Sequence, residues 1–288
     1  MLYRSYAKIN IYLDVLEPRR DGYTNIETIF QSVGLWDELR FEPRPAGFEL
    51  TCSDATLPCD ASNLVWRAAD LLRHATGCAK GAAIHLDKHI PMAAGLAGGS
   101  GNAAAALIGL NTLWDLGLSV RTLQTCARKL GADVAYCLRG GTVAATLRGD
   151  TMATLPPLPE TWFVLLHPPL ALSTPAVYKH PLLARSKETP YAGRTRAFRA
   201  AITALQRDSL AAAVFNRMES AAFAMHPQLD FLKQRLLEAG CTAAAMSGSG
   251  PTVFGLCENR AQADQVAGEF TDVRASVVAT VPYGVEAR

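Results

Sequence analysis

Between Pro91 and Leu107 the chain reads PMAAGLAGGSGNAAAAL, a glycine run that passes without a break into an alanine-rich helix former. Glycines stand at 95, 98, 99 and 101, four in seven positions. Glycine loses more conformational freedom on folding than any other residue, so this density implies that backbone must approach something closely. A Walker A loop would end in Gly-Lys-Ser/Thr, and this run does not. Gly99-Ser-Gly101-Asn-Ala-Ala104 formally meets the dinucleotide-binding pattern GxGxxA. However, Gly99 lies eight positions beyond the strand candidate that ends at Pro91, whereas that geometry needs its glycines directly after the strand. Two further readings stand beside that disfavoured one. One is a packing loop. The other is an anion cradle, in which backbone N–H groups and the dipole of a helix over roughly 100–113 face phosphate oxygens. In that cradle Ser100 can add a hydroxyl to phosphate or to a bound Mg²⁺.

The rest of the chain limits the setting of this loop. At 288 residues it can form one large domain or two modest ones, and a hydrophobic fraction of 49% with 19% charged residues is that of a globular protein. A net charge of +2, with Lys and Arg spread along the chain, gives no footprint for nucleic acid. No apolar run of about 18 residues suggests a membrane span, and the opening MLYRSYAKIN lacks the apolar stretch of a signal peptide. Seven cysteines (Cys52, Cys59, Cys78, Cys126, Cys137, Cys241 and Cys257) form no CxxC pair, as expected of reduced thiols in a cytoplasmic protein. His85 and His89 invite a metal reading, but no third ligand stands near them, and no protein-held metal site is expected.

Hydrophobic periodicity divides the chain. AKINIYLDVL (7–16) alternates as a strand, EPRRDGY turns it, and NIETIFQSVGLWDELRFEP continues as strand, turn and strand. FELTCS (48–53) is a strand, ASNLVWRAADLLRHATG (61–77) a helix stopped at Gly77, and AAIHLDKHIP (82–91) a strand ending on proline. After the glycine loop and its helix, VRTLQTCARKLGAD is a helix that stops at Gly131, followed by strands TVAATL (142–147) and WFVLLHP (162–168). Beyond about residue 150 the texture changes. Helices are expected over 196–224 and 227–239, then TAAAMSGSGPTVFGLC as two apolar runs around a glycine turn, a helix AQADQVAGEF and a closing strand ASVVATVP. PPLPE (156–160) and ARSKETPYAGRTR (184–196) read as connections. The pattern is a two-lobed α+β protein with the glycine loop in the first lobe.

The order Pro91-Met-Ala-Ala-Gly95-Leu-Ala-Gly-Gly-Ser100-Gly-Asn-Ala103 resembles the phosphate loop of the GHMP kinase superfamily. Further stretches resemble one branch of it, the 4-diphosphocytidyl-2-C-methyl-D-erythritol kinases. They are Tyr6-Ala-Lys8-Ile-Asn10, Arg20-Asp-Gly-Tyr23 followed by Thr28-Ile-Phe-Gln, Leu130-Gly-Ala-Asp133-Val-Ala-Tyr-Cys-Leu-Arg-Gly-Gly141 and Met246-Ser-Gly-Ser-Gly250. They stand in order from residue 6 to 254, so the resemblance spans nearly the whole chain. It implies the two-lobed GHMP kinase fold, with a ribosomal protein S5 domain 2-like N-terminal lobe (1–155) and an α/β C-terminal lobe (156–288). It also implies ATP-dependent phosphorylation of a small-molecule alcohol, the 2-hydroxyl of the cytidine-diphosphate-linked methylerythritol. Mg²⁺ would accompany ATP, held mainly by phosphates and water. Neither nucleic acid nor membrane is an expected partner, and the protein is expected to be a monomer or weak homodimer.

The resemblance also distributes roles. Asp133 would be the general base, where a turn or cap aspartate is the plainer reading of its place after Gly131. Lys8 would pair with Asp133 at the reacting hydroxyl, keeping it ionised. Asn10, on the same strand face as Lys8, is a substrate hydrogen-bond candidate. Around the nucleotide stand Pro91, Gly95, Leu96, Ala97, Gly98, Gly99, Ser100, Gly101 and Asn102. Asn63 is either a helix N-cap or a group near the adenine, and Lys88 either a nucleotide ligand or a surface lysine. Ser247 and Gly248 belong to a second glycine turn that either packs on the first loop or offers backbone donors near the phosphates; the second use is the expectation carried forward.

At the substrate end the chain departs from the branch. Where the pattern has Tyr-His on the cytosine, this chain has Tyr23-Thr24, so backbone groups or Asn25 would have to supply the histidine's contact. Tyr178 stands where the branch has a second aromatic on the base. Gly101 replaces a usual serine, which removes a hydroxyl from the phosphate site. Three alternatives stay open: another GHMP kinase acting on mevalonate or homoserine, a non-catalytic nucleotide-binding relative, and an NAD(P)-binding oxidoreductase. The last would need an acidic residue closing a βαβ unit, and the presence of both Lys8 and Asp133 argues against the second.

Overall fold

The computed structural model describes residues 1–190, 193–207 and 209–288. Two long alternating segments form its central ribbon, with β1 (Leu2–Pro18) antiparallel to β2 (Thr24–Arg44). The stretch expected as strand, turn and strand is a single strand. Tyr6 pairs with Trp36 but Ala7 with Val33, so Gly34 and Leu35 are extra residues on β2, and the glycine marks a bulge that bends the ribbon without reversing it. β3 (Phe48–Cys52) and β4 (Gly81–Asp87) are parallel neighbours joined through α1 (Leu64–Thr76), and β4 lies against β2. α2 (Gly98–Leu113) follows, then α3 (Val120–Leu130), which stops at Gly131 and is succeeded at once by α4 (Ala132–Arg139). This short helix, not a bare turn, carries Asp133. β5 (Thr142–Leu147) pairs with β2 and with its hairpin partner β6 (Thr151–Thr154), a strand too short to read from the sequence.

The helices cover one face of this sheet. Ala103 to Leu107 and Leu110 of α2 bury against Val65, Ala68 and Leu72 of α1 and against Leu39, Phe41 and Leu86 of the strands. Small side chains bring α2 close to its neighbours, which is why so much of its circumference is buried and why it shows no clear polar face.

The second lobe begins with β7 (Trp162–His167) and continues through α5 (Thr174–Lys179), α6 (Arg196–Gln206), α7 (Leu210–Ala213), β8 (Phe215–Asn216), α8 (Glu219–Met225) and α9 (Pro227–Glu238). The hairpin β9 (Ala243–Met246) and β10 (Val253–Cys257), then α10 (Arg260–Gly268), β11 (Arg274–Ala279) and β12 (Val285–Ala287) complete it. Its antiparallel sheet has the order β11-β7-β10-β9. The continuous helix expected over 196–224 is broken, because Phe215 and Asn216 leave the helical path to pair in parallel with Tyr12 and Leu13 of β1. Residue 208 of that stretch, and residues 191 and 192 of the expected connection over 184–196, lie outside the described residues. β12, unread from the sequence, also returns to the first sheet, with Tyr3 to Ser5 opposite Ala287 to Val285. Ile9 and Ile11 of β1 pack with Phe163 and Phe254 of the second sheet, so one hydrophobic cluster joins the lobes. Among the described residues no helix is long and apolar enough to cross a membrane.

His167 closes β7, with Nδ1 3.3 Å from Thr252 Oγ1 and Nε2 3.1 Å from Ser276 Oγ. Burial, and then the charge of Arg274, push its pKa down to about 4. A histidine whose folded pKa lies below its unfolded value binds fewer protons when folded, so its contribution to stability is lost as pH falls from about 6.5 toward about 4. The shift corresponds to on the order of 3 kcal/mol. Urea melts of His167→Gln should show a flatter dependence of stability on pH across that window, and an unchanged slope would remove His167 as its source.

Candidate active site

Lys8 lies mid-strand in β1 with 4% of its surface exposed, and its ammonium emerges at the junction of the lobes. Nζ donates to Asn10 Oδ1 at 2.7 Å and to Gly95 O at 2.8 Å. Asn10 Nδ2 donates to Thr28 Oγ1 at 2.8 Å, and the Thr28 hydroxyl donates to Tyr12 O at 2.7 Å. This relay fixes the lysine. Asn10 thus holds Lys8 and also borders the cavity, as expected of a residue near the substrate. Burial lowers the Lys8 pKa, and the charge of Asp133, then that of Cys137, opposes the shift. The direct partners of Lys8 are Asn10 and Gly95; Asp133 acts on it by charge across the cavity and not through the contact implied by the resemblance.

Asp133 sits in the first turn of α4, where the N–H ends of the helix favour a carboxylate. Lys8, Asn10, Gly95, Ala97, Asp133 and Gly248 border one cavity of about 320 Å³. Gly248 belongs to the second glycine turn, and a Cβ there would stand 3.2 Å from Lys8 Nζ. The turn packs on the first loop: Ser247 Oγ donates to Gly95 O at 2.9 Å, and Thr252 N donates to Ala94 O at 3.3 Å. Ser247 is fully buried and its hydroxyl serves the loop, so packing on the first loop is the use its side chain shows. Asn216 holds the turn from behind, its Nδ2 donating to Met246 O at 2.6 Å and to Gly248 O at 2.8 Å. The strand β8 that breaks the expected helix exists to present this amide.

A second cavity of about 350 Å³ lies along the glycine loop. Asn63, Lys88, Pro91, Gly95, Ala97, Gly98, Gly99, Ser100 and Asn102 border it. Helix α2 starts at Gly98, two residues before the expected point, so Gly98, Gly99 and Gly101 are helical and only Gly95 of the four has positive φ. Ala97, with φ 57°, is the N-cap, and among the described residues no side chain caps α2. Its first-turn N–H groups are therefore available at the cavity. Leu96 and Gly101 do not border it. Leu96 is 1% exposed and packs in the core with Ile9 and Ile90, while its carbonyl accepts from Lys8 N at 3.0 Å. A Cβ on Gly101 would stand 3.4 Å from Ser5 Cβ and from Tyr6 O, so a serine there would face β1 and the phosphate site loses no hydroxyl. Asn102 Oδ1 accepts from Ser5 Oγ at 2.7 Å, which ties α2 to β1. Asn63 is the N-cap of α1, its Oδ1 accepting from Val65 N at 2.9 Å while its Nδ2 donates to Pro58 O at 2.7 Å. Lys88 is no surface lysine: its side chain is 5% exposed and its Nζ lies 2.8 Å from Asp37 Oδ2.

The third cavity, of about 510 Å³, holds the residues of the expected substrate end, Tyr23, Thr24 and Tyr178, together with Arg19, Arg148, Lys179 and Arg185. Tyr23 is 55% exposed, and the Arg148 guanidinium stands 4.2 Å from its ring centroid. Burial, then the charge of Asp133, raise the Tyr178 hydroxyl to about 12, with Arg185 opposing. Asn25 is bound elsewhere, its Oδ1 accepting from Arg19 Nη1 at 3.0 Å, and is not on the cavity. That leaves backbone groups as the nearer candidates for the histidine's contact. Arg148 and Arg185 escaped the sequence reading because isolated arginines in connections form no pattern.

Residues 63–141 match the GHMP kinases N terminal domain, and residues 187–274 match GHMP kinases C terminal, together more than half of the chain. The chain belongs to the GHMP kinase family. This GHMP kinase is 43% identical over 264 residues to 4-diphosphocytidyl-2-C-methyl-D-erythritol kinase of Enterococcus faecalis, covering 91% of the chain and 92% of that protein. It is 42% identical to the protein of that name from Pelotomaculum thermopropionicum, covering 95% of each. A solved 4-(cytidine 5'-diphospho)-2C-methyl-D-erythritol kinase superposes with a TM-score of 0.82 at 32% identity, over 97% of this chain and 99% of that one. Homoserine kinase from Cytophaga hutchinsonii shares the fold, with a TM-score of 0.77 at 20% identity over 99% and 96%. The two-lobed GHMP kinase fold implied by the motifs is the one observed.

Proposed function

We propose that this GHMP kinase transfers the γ-phosphoryl group of ATP to the 2-hydroxyl of 4-diphosphocytidyl-2-C-methyl-D-erythritol, in the non-mevalonate isoprenoid pathway. One observation supports this reading above the others: the three cavities adjoin in series. The loop cavity shares Ala93, Gly95 and Ala97 with the Lys8–Asp133 cavity, which shares Ile26, Arg148, Thr174 and Tyr178 with the third. A nucleotide entering at one end and a long acceptor entering at the other would meet at Asp133. The acceptor has a base to lie between Tyr23 and Tyr178, a diphosphate to face Arg148 and Arg185, and an alcohol at its far end.

In the reaction Asp133 takes the hydroxyl proton as the alcohol oxygen bonds to the γ-phosphorus and the bond from phosphorus to the β–γ bridging oxygen breaks. Lys8, fixed by Asn10 and Gly95, offers positive charge beside the acceptor. The N–H groups at the start of α2 hold phosphate oxygens. Among the described residues no carboxylate borders the loop cavity, so Mg²⁺ would be held mainly by the triphosphate and water, with the Ser100 hydroxyl as the protein oxygen that could join them. When bound, the ion neutralises charge on the β- and γ-oxygens. We take residues 1–155 and 156–288 as the two lobes, with β8 and β12 of the second completing the sheet of the first, and place the enzyme in the cytoplasm.

Thr24 favours one rival, a kinase of another small alcohol. A coupled ADP-release assay with the cytidine substrate, mevalonate and homoserine should show turnover of the first alone. Turnover of mevalonate or homoserine without the cytidine compound would overturn the substrate assignment.

A further inference from the structure

Asp37 has no exposed surface, and a carboxylate so buried is costly unless its oxygens are paired. Oδ1 accepts from His89 N at 2.7 Å and Ile90 N at 2.8 Å, and Oδ2 lies 2.8 Å from Lys88 Nζ. Its partners are three consecutive residues, 88–90, which lead from β4 into the glycine loop. Lys88 Nζ also donates to Ile90 O. An ammonium has three N–H donors. Ile90 O accepts one, the Asp37 carboxylate holds the group by charge as an ion pair, and the remaining donor capacity is available to a ligand in the loop cavity, which Lys88 borders. The ammonium lies against the start of α2, since a Cβ on Gly98 would stand 3.1 Å from Nζ.

We propose that Asp37 is a positioning residue for the nucleotide: acting through Lys88, it sets one fixed cation beneath the phosphate-facing end of α2. The carboxylate balances the ammonium before ATP arrives, and the paired geometry leaves little side-chain ordering to be done on binding. The charge, and not only the turn, matters. Asp37→Asn keeps an oxygen to accept from both backbone amides but removes the counterion. The proposal rests on the reading that the loop cavity holds ATP.

The test measures ADP affinity by calorimetry, KM for ATP, KM for the alcohol and kcat, in the wild type, Asp37→Asn, Lys88→Met and the double variant. Asp37→Asn should weaken ADP binding and raise KM for ATP by about tenfold, the scale of one charge-assisted hydrogen bond. KM for the alcohol and kcat at saturating ATP should hold. The double variant should bind ADP no more weakly than Lys88→Met, because Asp37 acts through that lysine. Additive losses in the double variant, or an equal rise in both KM values, would overturn the proposal and leave Asp37 a turn staple. Wild-type protein that binds no ADP would instead overturn the nucleotide reading on which the proposal rests. If Asp37→Asn does not fold, Lys88→Arg decides: it should keep ADP affinity that Lys88→Met loses, and equal losses in both count against a fixed cation.

Discussion

Asp133→Asn should lower kcat by about a hundred- to ten-thousand-fold, the range typical of losing a general base, while ADP affinity stays near wild type. The substitution is nearly isosteric and lies in the first turn of α4, half-buried at the cavity that also holds Lys8. The N-terminal helix dipole favours the carboxylate only modestly, by about 0.3–1 kcal/mol, so the fold should tolerate the amide. An amide cannot take the hydroxyl proton, and it also withdraws the negative charge that opposes the depression of the Lys8 pKa. Lys8 should then lose its proton at lower pH, which would bring the alkaline decline of residual activity to lower pH than in the wild type. Coupled ADP release under saturating substrates gives the rate, and calorimetry gives the affinity. Turnover near the wild-type value would end the assignment of Asp133 as base.

Gly95→Ala should damage both stability and activity, for a reason visible in the packing of the two glycine turns. Gly95 has φ 75°, and a Cβ there would collide with Ser247 O and stand 3.1 Å from Gly250 O. The left-handed backbone alone costs about 1–2 kcal/mol for a residue with a side chain. Overpacking adds about 1–3 kcal/mol, since neither backbone can yield without moving its whole turn. Gly47 separates the two effects: its φ is 78° but a Cβ there meets nothing within 4 Å, so Gly47→Ala should show the backbone cost alone. Activity should fall only in Gly95→Ala, because Gly95 O accepts from both Lys8 Nζ and Ser247 Oγ, and pushing the turns apart releases the lysine. Urea melts and kcat measured side by side check this, and equal behaviour of the two variants would mean that the turns are not in firm contact.

Local periodicity made most of the fold legible: the alternation of 7–16, the caps of α1 and the hairpin around Ser247–Gly250 all appear as read. What failed did so where a distant partner overrides local preference. Phe215 and Asn216 sit in a helical composition, yet β1 and the backbone of the second turn claim them. The loop glycines were read as close approach to a ligand, whereas Gly98 and Gly101 are helical and supply clearance within the protein, against Lys88 and β1. Lys8, Asp133 and the aromatic pair were legible only through ordered motifs. Asp37 was not legible at all, because a single acidic residue inside an apolar strand gives no sign of which turn it will hold. The inward turn of the Ser247 hydroxyl was not legible either, because side-chain direction is decided by packing that a one-dimensional pattern does not contain.

The strand made by Val285 to Ala287 has a consequence for how the molecule is built in time. It borders β1, which is translated long before it, opposite the edge that β2 occupies. While the intervening chain is being made, Tyr3 to Ser5 therefore present open N–H and C=O groups on that side, an edge able to recruit foreign strands. Val285 to Ala287, translated long after β1, close it, and the Tyr6 hydroxyl gains its acceptor Glu286 at the same moment. The nascent first lobe is thus open to misassembly along β1, and β12 is the cover for which it waits.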